Sequence, residues 1–228
     1  LRVTPEQRLS MIATVNETTA SSALTVVDHP LVATKLAVIR ASTTAPDEFR
    51  RNVQEVSALL LCEAARDWQV REVEIATPLK RCAGAVLAHA VVIVPILRAG
   101  LGMLDGMLRV LPQASVGHIG LYRDEETLRP VSYFCRLPLD VRDAEVLVLD
   151  PMLATGHSAC EAVSMLKAQG ATRIRFVCLV SCDAGIAQLQ SVHPDVQIIT
   201  AAVDPELNDF GYIVPGLGDA GDRYFGTG

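Results

Sequence analysis

The chain has 228 residues, half of them hydrophobic, and a formal net charge of −6. That length supports one sizeable core with at most a small appended lobe, and the acidic balance excludes a nucleic-acid surface, which needs clustered Lys and Arg. The most apolar stretch, residues 83–97, is broken by His89 and Pro95 and is too short to span a bilayer; it reads as a buried parallel strand with its approach, and no membrane partner is expected.

Cys62, Cys82, Cys135, Cys160, Cys178 and Cys182 form no Cys-x-x-Cys pair, and the histidines show no metal-ligand spacing, so a structural zinc is not expected. The N-terminus carries no basic-then-apolar leader, which makes a reducing cytoplasm the expected location.

Residues 1–27, rich in Thr, Ser and Ala, have no sustained periodicity and read as an arm, with 28–228 as a single domain. Residues 28–40 place a Pro after a candidate cap and space Leu31, Leu36 and Ile39 like one helix face. Residues 47–66 predict a stronger helix, with Phe49, Val53, Val56, Leu59 and Leu60 on one side and acids and Arg on the other. Alternation over 70–76 predicts a strand in a peripheral, half-exposed sheet. From Val91 onward, strands are predicted at 91–96, 115–122, 146–149, 174–180 and 196–203. Helices are predicted at 100–110, from Ala159 to Gly170, and at 184–192, with 131–137 as half a hairpin. This alternation implies an α/β fold with a mostly parallel sheet and right-handed crossovers. The Gly- and Pro-rich tail from Asp204 shows no regular pattern.

Four stretches carry chemistry. VLVLDPMLATGHS (146–158) reads as a buried strand, an acid (Asp150) at its C-terminal end, and a small-polar turn into a helix. Free N–H groups at a helix start hold a phosphate, and the carboxylate accepts from sugar hydroxyls. VPILRAGLGMLDG (94–106) ends a strand near Arg98 and follows it with Gly100 and Gly102. It reads either as a Gly-rich turn with a surface Arg or as a place where backbone approaches a ligand. Its G-x-G-x-x-x-G spacing misses the dinucleotide fingerprint by one residue. In GLYRDEETLRPVSYF (120–134), the acids Asp124, Glu125 and Glu126 alone read as a solvated hairpin face. The tail GYIVPGLGDAGDRYFGT (211–227) contains a formal G-x-G-x-x-G that is expected to follow no long strand and to open no helix, so a dinucleotide reading fails on context.

Taken together, these four motifs and His29-Pro30-Leu31-Val32 resemble the uracil phosphoribosyltransferase branch of the type I phosphoribosyltransferases, over nearly the whole chain from Asp28. The resemblance implies a phosphoribosyltransferase-type sheet over about 91–203, with a hood built from 28–90 and 204–228. It implies transfer of a phosphoribosyl group from phosphoribosyl pyrophosphate (PRPP) to N1 of uracil. The PRPP site would comprise Asp150, Pro151, Met152, Leu153, Ala154, Thr155, Gly156, His157 and Ser158, with Arg98, Arg123 and Asp219. Arg98 and Arg123 would contact the diphosphate, a role suited to planar bidentate donors, and residues 120–134 would close over it. Ile213, Gly218, Asp219 and Ala220 would read uracil, largely by backbone, since a mismatched buried polar edge leaves groups unpaired. Arg98, Arg123 and Asp219 are the implied catalytic residues. Mg²⁺ is the implied cofactor, carried by PRPP or through Asp150, with no protein metal site assigned. A homodimer or homotetramer and a GTP effector are the implied partners. Two positions depart from the family wording: Asp124 for Asn, and His157 for Gly. His157 either points to solvent or adds a titratable cation beside the phosphate. A non-catalytic member that senses UMP or PRPP is the alternative reading.

Overall fold

The computed structural model describes residues 23–123 and 130–227. The first part of the chain supplies β1 (Leu24–Val26), α1 (Pro30–Arg40), α2 (Pro46–Ala64), β2 (Val70–Ala76) and β3 (Arg81–Leu87). The middle supplies β4 (Val91–Leu97), α3 (Leu101–Val110), β5 (Ser115–Val116), β6 (His118–Arg123), β7 (Pro130–Arg136), β8 (Glu145–Leu149) and β9 (Met152–Leu153). There follow α4 (His157–Ala168), β10 (Arg173–Cys182), α5 (Asp183–Val192), β11 (Gln197–Asp204), β12 (Glu206–Leu207), β13 (Ile213–Val214) and α6 (Ala220–Phe225).

The main sheet runs β1-β11-β10-β8-β4-β6-β7, parallel except where β7 returns antiparallel to β6. Strands β4 and β8 are buried along almost their whole length, because helices cover both faces and both sets of side chains must be apolar. Val91, Ile93, Leu147, Leu149, Val177 and Leu179 join the core that includes α1, α2 and α3. The alternate positions Val92, Val94, Val146, Val148, Phe176 and Cys178 join the core under α4 and α5. This is the doubly wound α/β arrangement that strand–helix alternation implies.

Several boundaries differ from expectation, each for a physical reason. Residues 24–26, inside the expected arm, pair with β11 as an edge strand; three residues are too few to leave a periodic signal. In α1 the cap is His29, whose Nδ1 accepts from the Leu31 N–H (3.1 Å). The buried face is Val32, Leu36 and Ile39, while Leu31 stays 53% exposed. The i, i+4, i+7 spacing of the observed set fits one stripe of a helix, and starting at Leu31 does not. Within 83–97 the expected buried parallel strand is present at 91–97, but the expected approach is itself a strand. That strand is β3, paired antiparallel with β2 as a separate hairpin. The helix expected from Ala159 begins at His157.

The tail departs most. It carries a two-strand pair, β12 with β13, and the six-residue α6. The formal glycine fingerprint therefore does open a helix, though a short one after a two-residue strand. Long-range bonds rather than periodicity hold the tail. Arg223 Nη1 donates to the carbonyls of Ile39 (2.6 Å) and Leu217 (2.7 Å), and Nη2 to that of Ala41 (2.6 Å). Its guanidinium lies 4.4 Å from the Phe49 ring centroid, a cation–π contact that stiffens the packing of tail on α2.

Candidate active site

Strands β4 and β8 are parallel neighbours, with Pro95 opposite Leu149. The segments that leave their C-terminal ends, Arg98 and Asp150, therefore start side by side at the edge where open α/β sheets bind ligands. The Leu97–Arg98 peptide is cis.

Asp150 is partly accessible, and its Oδ1 accepts from the Met152 N–H (3.3 Å). Surrounding protein desolvates the carboxyl and pushes it up to about 7, with the Met152 bond pulling weakly the other way. Residues 151–156 then fold as a tight cradle. Gly156 has φ +80 and no side chain caps α4, so the first N–H groups of that helix are left for an anion. His157 is the exposed first residue of α4, and Thr155 and Ser158 are half-exposed beside it.

The back wall of the cradle comes from a residue that no motif flagged. A Cβ on Gly185, in the first turn of α5, would lie 2.5 Å from the Leu153 carbonyl oxygen and closer still to that of Ala154. The Cys182 Sγ–H donates to the Ala154 carbonyl (3.1 Å). A lone Gly early in a predicted helix, two residues after an acid, is the sole trace of this contact in the sequence.

The tail folds over the other side of Arg98. Arg98 is largely exposed and its Nη2 lies 3.9 Å from Asp222 Oδ1. A Cβ on Gly102 would strike the Tyr224 ring at 2.8 Å, so α3 and the tail are in direct contact. Gln54 ties Tyr224 and Asp105 together at 3.3 Å each. Ile213 and Ala220 are buried, whereas Gly218 and Asp219 are exposed. Asp219 caps α6, its Oδ1 accepting from the Asp222 N–H (2.9 Å). Asp222 and Tyr224 lie inside the quoted tail motif, but their partners become visible only in three dimensions.

Arg123 closes β6. Its side chain and residues 124–129, including Asp124, Glu125 and Glu126, lie outside the described residues. Among the described residues no group of three or more His, Cys, Asp or Glu side chains is arranged to hold a metal ion. Two surface cavities, of about 390 Å³ and 570 Å³, lie near the N-terminal ends of the strands, lined by Glu145, Arg173 and Gln197 and by Arg71, His89 and Ser115 respectively. Both are remote from the ends of β4 and β8, where the described parts of the four motifs lie, and side-chain character rather than depth marks that end as the candidate site.

Comparison with known proteins identifies the family. The family model described as uracil phosphoribosyltransferase matches residues 26–227. A uracil phosphoribosyltransferase of Clostridium perfringens is 56% identical over 207 residues, 90% of this chain and 99% of that one. One from Dictyoglomus thermophilum is 58% identical over 203 residues, 89% of this chain and 98% of that one. A solved protein of Aquifex aeolicus superimposes with a TM-score of 0.85 at 36% identity, covering 90% of this chain and 98% of that one. The adenine phosphoribosyl transferase of Trypanosoma brucei shares the fold alone, with a TM-score of 0.54 at 12% identity over 82% of this chain and 86% of that one.

Proposed function

The chain belongs to the uracil phosphoribosyltransferase family, and from that membership we propose that its cradle joins N1 of uracil to C1′ of PRPP, giving UMP and diphosphate. The observation that carries this reading is the contact of the tail with the segment after β4, through Arg98–Asp222 and Gly102–Tyr224. It supports a base site in the Gly-rich tail beside Arg98, an arginine suited to diphosphate.

In this reading the 5′-phosphate sits on the N–H groups of Thr155, Gly156, His157 and Ser158. Pro151, Met152, Leu153 and Ala154 carry the chain around the phosphoribosyl group, and Asp150 accepts from the ribose hydroxyls. The N1–C1′ bond forms as the bond from C1′ to the diphosphate oxygen breaks, and Arg98 and Arg123 neutralise the departing charge. Backbone groups of Ile213, Gly218 and Ala220 pair with the pyrimidine edge. Asp219 has one carboxylate oxygen committed to its cap, so the other would face the substrates.

A magnesium ion suits this donor set, since Mg²⁺ is usually held by one or two carboxylates plus substrate phosphates rather than by a protein cage. Among the described residues Asp150 Oδ2 accepts no hydrogen bond and would be the protein's ligand. The ion, when bound, supplies positive charge against the diphosphate. Purified protein incubated with Mg²⁺, PRPP and labelled uracil is expected to form labelled UMP. Tight UMP binding with no turnover would instead support the sensing alternative.

His157 is exposed and makes no side-chain hydrogen bond among the described residues. The KM for PRPP of wild type and of His157→Gly should therefore follow parallel curves across neutral pH. Divergence of the two across that range would show that the His157 side chain reaches the phosphate.

The β2–β3 hairpin supports a homodimer. A two-stranded hairpin is marginal by itself in water, yet this one leaves Val70, Ile75, Leu79 and Val86 exposed by 53%, 44%, 94% and 38%. A second copy would cover them. Replacing Val70, Ile75 and Val86 by Thr should shift the mass in sedimentation equilibrium towards the monomer, and an unchanged mass would remove the hairpin from the interface. Activation by GTP is carried by family resemblance alone, and initial velocities with and without it decide the matter.

A further inference from the structure

Both backbone groups of Gly216 are gripped by one ion pair. Its N–H donates to Asp204 Oδ2 (2.9 Å), and its carbonyl oxygen accepts from Arg40 Nη1 (2.6 Å). The pair itself is bidentate, with Nη1 to Oδ2 at 2.7 Å and Nη2 to Oδ1 at 2.6 Å. Asp204 is the last residue of β11 and only 5% exposed, and Arg40 is the last residue of α1.

A bond between helix and strand needs only the guanidinium and the carboxylate. Here two further hydrogen bonds go to a single residue of the tail, one to each of the peptide planes that meet at its Cα. Gly216 has φ +57, and a Cβ there would overlap the Ile213 carbonyl oxygen, so no other residue suits the position. Leu217, the next residue, is buried and its carbonyl is held by Arg223 Nη1 (2.7 Å). With 216 and 217 fixed in direction, the exposed backbone at Gly218 and Asp219 has little freedom to choose where it points.

We propose that Arg40 and Asp204 are positioning residues for base recognition: by clamping the Gly216 peptide planes they set the direction of the 218–220 backbone that pairs with the pyrimidine. The proposal rests on the reading of the tail as the uracil site. Neither residue touches the substrates. The planar fork of Arg40 matters as much as its charge, because one nitrogen must reach Asp204 and Gly216 together while the other holds Asp204. A lysine offers a point charge without that fork.

The test is steady-state kinetics on Arg40→Lys and Asp204→Asn, with Val32→Ala as a control. Val32 is buried in α1 and has no polar side chain to bond the tail. Arg40→Lys and Asp204→Asn are each expected to raise the KM for uracil roughly ten-fold, with the KM for PRPP changed by less than about two-fold. Both should also lower the ratio of kcat/KM for uracil to that for cytosine. Val32→Ala should lower the thermal midpoint and leave the uracil KM alone. Should Asp204→Asn fail to fold, Arg40→Lys carries the test, since it keeps the charge. A uracil KM that follows the thermal midpoint across all the variants, or that rises in step with the PRPP KM, overturns the proposal and leaves the pair a structural clamp. Wild-type protein that makes no UMP overturns the reading of the tail instead, before any variant is compared.

Discussion

Asp150→Asn should lower kcat/KM by about 10²-fold or more, the scale of losing one preorganised electrostatic contact in a substrate-enclosing site, and should at the same time stabilise the folded protein above neutral pH. The two effects have one origin. Burial pushes this carboxyl from its ordinary 3.8 up to about 7, so the folded state holds the proton more tightly than the unfolded chain does. Stability from that proton is fully present below the ordinary value and is lost as pH rises through about 7. Asparagine mimics the neutral form and removes the loss, while the proposed contact with the ribose hydroxyls needs the ionised one. Wild-type kcat/KM, which reports groups of the free enzyme, should therefore climb through the same range. Paired pH–rate and pH–melting curves check both halves. Survival of the rate limb near neutrality in the Asn variant would assign it to another group.

Gly185→Ala should raise the KM for PRPP about ten-fold and cost about 1–3 kcal/mol of stability through overpacking, although residue 185 contacts no substrate in the proposed complex. Its added methyl would have to displace the Leu153 and Ala154 carbonyls, which are backbone and cannot swing aside as a side chain would. The same movement would stretch the Cys182 thiol bond to Ala154. Kinetics together with thermal denaturation tell the outcomes apart. A destabilised variant with an unchanged PRPP KM would mean that α5 gives way rather than the cradle.

These two positions illustrate what could be read from sequence. Asp150 was legible because the signal is local: a continuous apolar run, an acid where the run stops, then small polar residues before a helical pattern. Strands β4, β8, β10 and β11 were legible for the same reason, since burial on both faces forces unbroken apolar runs. Gly185 was not, because its importance lies in atoms more than thirty residues earlier, and glycine in a helix has no outward mark. Residues 83–87 read as the approach to β4, because hydropathy does not distinguish a strand buried in a sheet from an apolar hairpin strand left in the open. The tail looked irregular because its order comes from Arg223, Arg40 and Asp204, whose partners lie far along the chain. Asp204 did offer a clue. Like Asp150, it is an acid at the C-terminal end of an apolar strand, a position where a buried carboxylate needs a partner.

The separation between those partners bears on how the protein comes into being. Arg40 meets Asp204 and Gly216 across 164 and 176 residues, and Arg223 meets Ile39 across 184. Contacts of that span close late, because the chain between them must first be ordered. On a ribosome the phosphate cradle can assemble once α5 has emerged, but α1 must wait, its terminal carbonyls uncapped by Arg223 and its arginine without an anion, until the tail arrives. In the proposed site the phosphate cradle would thus be complete before the base loop, and selectivity would be the last property the molecule acquires.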